Sequence, residues 1–125
     1  MEETILIPAA QRAGGGHPLA MAARLRLDHG ALAALMVPPP SLDLIAAIGA
    51  ILSGHNLLEE GSGGLYDTCA GLVGNGVEAL LQVLRNAPYP RLKPHVSSPA
   101  VLNATRSALT RAGYDLDELV RLGNQ

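Results

Sequence analysis

Apolar residues return every three or four positions along most of this chain, which is the period of an α-helix packed on one side. The first such stretch begins near Pro18, a residue suited to a first helical turn, and ends before the prolines at 38–40. Ser41 can cap a second helix that runs to about Glu60, where "GSGG" breaks it. A short helical piece, Leu65 to Leu72, precedes "GNG", and "VEALLQVLRNA" predicts a further helix with Leu80, Leu81 and Leu84 inward. Three prolines between 88 and 94 make the next connection irregular. Ser98 caps and Pro99 opens another helix that stops at Gly113, and Asp115 with Glu118 has capping-box spacing for a last turn or two. Residues 1–16 end in "GGG" and read as an extended or mobile arm. The expected organisation is therefore an arm, 1–16, followed by one antiparallel helical bundle, 17–125.

Two stripes carry polar residues where the buried face belongs. The first reads Ala22, Leu25, His29, Leu32, Met36, and the second reads Ile45, Ile48, Leu52, His55, Glu59. His55 and Glu59 are four apart and so share one helix face. The short connection at 38–40 makes these helices antiparallel neighbours. Counting outward from it leaves His29 and His55 offset by roughly 9 Å, less whatever length the prolines consume without helical rise.

Composition narrows the class. The chain has 125 residues, 48% of them hydrophobic, with no Phe, no Trp and three Tyr. Such a core must be built from Leu, Ile, Val, Ala and Met, and the abundance of Ala and Leu makes an all-α fold the expectation. The nine basic residues are scattered and the net charge is −2, which gives nucleic acid no basic stripe to bind. No uninterrupted apolar run approaches the roughly 18 residues of a membrane span. The acidic start and short apolar stretch do not resemble a secretory signal. Lone Cys69 rules out an intramolecular disulfide, and a reducing cytoplasm is the expected location.

A buried imidazole beside a buried carboxylate is costly unless the two are paired or coordinated. Imidazole nitrogen and carboxylate oxygen are also the donors that bundles project inward to hold iron, manganese or zinc. From periodicity alone, a metal site and a metal-free His–Glu pair both remain open.

The stretches "RLDHGALAALM" and "SLDLIAAIGAILSGHNLLEEGSGGLYD" resemble the first half of hemerythrin-like (HHE cation-binding) domains. Those domains place one His on a first helix and a His-x-x-x-Glu on the second, matched here by His29 and by His55 with Glu59. The resemblance covers residues 17–67. It implies an antiparallel four-helix bundle holding non-haem iron, often as a diiron centre, that binds oxygen or senses oxygen, nitric oxide or redox state. The full family centre uses five histidines and two bridging carboxylates, whereas this chain has four histidines in all. "TCAGLVGNGVEALL" contains none where a second histidine pair belongs. A mononuclear or altered dinuclear iron site is therefore expected, completed by His95 or His17, with Glu60, Tyr66 and Asp67 as further choices. Asp28 offers either a hydrogen bond that orients an imidazole or a helix ion pair with Arg24. Cys69 is expected to be a small core residue. An enzyme that reduces peroxide or nitric oxide, and a metal-free interaction module, are the competing functions.

Overall fold

A computed structural model describes residues 2–89 and 91–125. The described residues are helical throughout their regular structure, with no strand among them. Seven α-helices follow in order: α1 (Ile7–Ala13), α2 (Ala22–Leu35), α3 (Leu42–Glu60), α4 (Leu65–Val73), α5 (Val77–Arg85), α6 (Pro99–Arg111) and α7 (Leu116–Gly123). The all-α expectation holds.

Local signals explain most of the boundaries. The Leu44 amide donates to Ser41 Oγ at 3.2 Å, so Ser41 caps α3 as its type suggests. α3 ends where the chain must turn tightly. A Cβ on Gly61 would overlap the Leu57 carbonyl, and Gly63 has φ of +72°. α6 ends in a Schellman turn: the Tyr114 amide donates to the Leu109 carbonyl at 2.8 Å, and the Gly113 amide to that of Thr110 at 3.0 Å. Gly113 supplies the positive φ this turn needs, +87°. Asp115 accepts from the Glu118 amide at 2.9 Å and caps α7. Only half of the capping box forms, because the Glu118 carboxylate pairs with Arg121 instead. Ser98 stands at the N-cap of α6 without a side-chain cap hydrogen bond, and Pro99 opens the helix as expected.

The N-terminal arm is a correction. Residues Glu2–Leu6 form a π-helical turn that runs into α1, and Leu6, Ile7 and Ala10 are buried. The physical reason is that Pro8 lies in the first turn of α1 and starts the helix rather than breaking it. "ILI" supplies the apolar face.

The chain divides into two compact units: Met1–Arg24 with Asn56–Arg91, and Leu25–His55 with Leu92–Gln125. In the first unit, α1 packs against α4, and Leu65 and Cys69 of α4 are buried. Leu80, Leu81 and Leu84 of α5 face inward but stay half-exposed around a cavity. In the second unit, Ala31 and Leu35 of α2, Ala47 and Ile51 of α3, Leu109 of α6 and Leu119 of α7 share one closed core.

The α3 stripe is displaced by one residue from its sequence reading. Leu44, Ala47, Ile51, His55 and Glu59 are buried, whereas Ile45 is 55% exposed. Both sets fall within a single broad helix face, so periodicity leaves a one-residue ambiguity that packing resolves. On α2 the same slip puts Asp28 in the core and leaves Met36 exposed. The helical stretch Leu42–Arg85, which includes the 61–64 turn, contains a window of mean hydropathy 1.3, long and apolar enough by composition to cross a membrane. Counting uninterrupted apolar runs misses it, because the many Ile and Leu residues outweigh the polar positions in an average.

Candidate metal site

His55 and Glu59 lie one turn apart on α3, and both are buried. Their mutual position is fixed by this one unbroken helix. His29 of α2 brings its ring edge-on to that of His55, with centroids 4.8 Å apart and planes inclined by 65°. One ligand atom from each of His29, His55 and Glu59 lies within 4.8 Å of the other two. The 9 Å offset expected from counting residues does not appear, since residues 36–41 lie outside both helices and take up length.

Asp28 is the residue that sequence reasoning underrated. It is 2% exposed, and its Oδ2 lies 3.2 Å from His55 Nδ1. Its Oδ1 accepts a 2.6 Å hydrogen bond from the Tyr114 hydroxyl. The Schellman turn that ends α6 sets the Tyr114 backbone, so a glycine at 113 helps position a hydroxyl that holds a carboxylate. Asp28 thereby orients His55, not its neighbour His29. With Nδ1 engaged by the carboxylate, Nε2 is the ring nitrogen assigned to ligation, the usual arrangement of a carboxylate behind a metal-binding histidine.

Glu59 has its own support. Tyr66 of α4 donates toward Glu59 Oε2 at 3.2 Å and toward Glu2 Oε1 at 3.1 Å. Burial, then the neighbouring charges of Glu59 and Glu2, push the Tyr66 phenol well above its ordinary range. It stays a neutral donor through the physiological range.

The completing ligands proposed from sequence are not brought in. His95 is exposed, and its Nδ1 is 2.9 Å from the Met36 carbonyl, a bond in which the ring N–H donates. His17 is exposed and stands over Gly15, where an added Cβ would meet its ring at 3.7 Å. Neither belongs to the cluster, the only group of three or more such side chains with ligand spacing among the described residues. The reason is local: both follow segments without helical periodicity, "GGG" and the proline-rich 88–94, so no buried face carries them inward. Glu60 is exposed, and Asp67 accepts from the Gly63 amide at 3.0 Å, closing the turn after α3. Cys69 is buried, as expected of a core residue, and desolvation raises its thiol pKa.

Two imidazoles and one carboxylate form a donor set used by both ferrous and zinc sites. The donor chemistry fits a divalent first-row metal. No protein family, curated protein or solved structure matches this chain.

Proposed function

We propose that the chain is a metal-binding protein that holds a divalent transition metal through His29, His55 and Glu59, with non-haem iron as the physiological ion. The observation that carries this reading is the three-donor convergence within 4.8 Å. The hemerythrin-like pattern of residues 17–67 favours iron over zinc, and the four-helix hemerythrin-like fold is part of the same proposal. Iron held by three protein donors keeps coordination positions for water and for a diatomic ligand such as oxygen or nitric oxide. The chain's own residues would do the rest. Asp28 and Tyr114 hold His55 in one tautomer, and Tyr66 holds Glu59.

A mononuclear centre is preferred to an altered dinuclear one, because His95 and His17 lie outside the cluster. Anaerobic loading with ferrous iron, followed by desalting and metal analysis, tests the reading. A single iron per chain is expected, lost in His55→Ala and retained in His95→Ala. Failure to retain iron, zinc or manganese would overturn it.

One observation favours a second reading. Among the described residues, no buried side-chain nitrogen or oxygen lacks a hydrogen-bond partner. The Asp28–His55 pair with its two tyrosine-supported carboxylates is therefore a complete polar network even without a metal. On that reading the cluster serves conformational specificity in an interaction module. Unchanged thermal stability on adding each metal would favour it.

A further inference from the structure

The first compact unit holds a cavity of ≈ 330 Å³ that the metal reading does not use. Leu6 of the N-terminal turn, Val73 of α4, and Leu80, Leu81 and Leu84 along α5 form its apolar walls. Cys69 lines it too, and burial pushes that thiol up, as apolar surroundings do. The lining contains no Lys or Arg.

The polar residues of the lining, Glu2 and Tyr66, are already engaged. The Tyr66 hydroxyl donates toward Glu2 and toward Glu59, and each of those carboxylates has a further partner. Among the described residues, no buried side-chain nitrogen or oxygen lacks a hydrogen bond. The polar end is thus a closed network. A charged head group would give up its water on entry and would have to displace an existing bond to be paired. A hydrocarbon does neither, and it gains by leaving water for the aliphatic walls.

Volume limits the occupant. An aliphatic cavity of about 150 Å³ stays dry and holds benzene, so this one has room for a molecule of roughly ten non-hydrogen atoms. It is too small for a partner helix about 10 Å across.

We propose that this cavity binds a small uncharged, hydrocarbon-like molecule between α5 and the walls supplied by Leu6 and Val73. None of His29, His55 and Glu59 lines it, so the proposal does not rest on the metal reading.

The test compares three probes of nearly equal length, butylbenzene, phenylpropylammonium and phenylpropanoate, titrated into the full metal-free chain. The Leu81 and Leu84 methyl resonances should shift saturably with butylbenzene. Its affinity should exceed that of either ion by roughly tenfold or more, since each ion must bury its head or leave part of its length outside. The melting temperature should rise with butylbenzene, because a ligand of the native state alone stabilises it. Ala70→Leu, which adds bulk to the cavity wall, should abolish the shifts while leaving the circular dichroism spectrum unchanged. A size control on the unaltered chain makes the test independent of that variant: triisopropylbenzene, too wide for the cavity, should not bind. Equal affinity for the three probes or a preference for either ion would overturn the proposal. So would methyl resonances that butylbenzene leaves unmoved, with a second copy of the chain covering α5 in sedimentation or without one.

Discussion

Leu109 and Leu81 both sit on the inward side of an α-helix, yet Leu109 is fully buried while Leu81 is half-exposed beside a cavity. The difference lies in what each helix meets. Leu109 belongs to α6, whose core is shared with residues of α2, α3 and α7. Leu81 belongs to α5, nine residues long, which packs against the five-residue N-terminal turn and the three-residue turn before it. Turns that short cannot cover a helix face of two and a half turns. Similar aliphatic side chains therefore give a closed core in one unit and an open apolar chamber in the other. Partner length, more than composition, decides between a packed interior and a binding space.

Truncation should expose that contrast most strongly. Leu109→Ala leaves a void among fixed neighbours and should cost about 2–5 kcal/mol in urea denaturation. Leu81→Ala, already facing open space, should cost about 1 kcal/mol or less. Similar losses at the two positions would break the comparison.

Glu59→Ala is expected to act through the metal. With metal at a hundredfold excess over its dissociation constant, binding adds about 2.7 kcal/mol to the native state. Loss of this ligand should therefore lower the melting temperature of the loaded chain more than that of the apo chain. Equal shifts would make Glu59 a packing residue only.

Helix starts give a finer measure. Asp115→Ala removes the hydrogen bond to the Glu118 amide and should cost about 1 kcal/mol. Ser98→Ala removes no cap hydrogen bond and should change stability little. In the open unit, Ala70→Leu adds bulk to the cavity wall. It should stabilise by about 0.5 kcal/mol; destabilisation would mean that the chamber is already filled in solution.

The smallest effect concerns charge. The hydrogen bond from Arg121 holds the Glu118 carboxyl below its ordinary range. A lowered folded-state value adds stability above the unfolded value near 4.3, lost as pH falls through the folded one. Arg121→Ala should bring the Glu118 carboxyl resonance back toward ordinary titration by NMR, with scarcely any change in melting temperature, since both groups are at the surface.

Legibility in the sequence followed the distance over which each cause acts. Ser41, Pro99, Gly113 and Asp115 mark helix ends through bonds a few residues long, and their types announced those ends. Pro8 did not, because a proline preceding "GGG" looks like a breaker until the helix it starts is seen. His55 and Glu59 were legible because one helix fixes their spacing. Asp28 was legible as a residue that could orient an imidazole, but its partners His55 and Tyr114 were not. They lie 27 and 86 residues away in sequence, and no local pattern records such a meeting. A one-residue shift in the apolar stripe of α2 was the available signal, since it moves Asp28 inward.

Each compact unit is assembled from two separate lengths of chain, and the lengths alternate: 1–24, then 25–55, then 56–91, then 92–125. This alternation has a consequence for synthesis on the ribosome. The first unit cannot close until residue 91 has emerged, and the second must wait for α6 and α7. During that interval the apolar faces of α2 and α3 lack the partners that will seal them. At about 5–20 residues per second, the delay between residue 55 and residue 125 is several seconds. That interval is long beside the microseconds in which a helix forms, and it is when the nascent chain most needs protection from association with its neighbours.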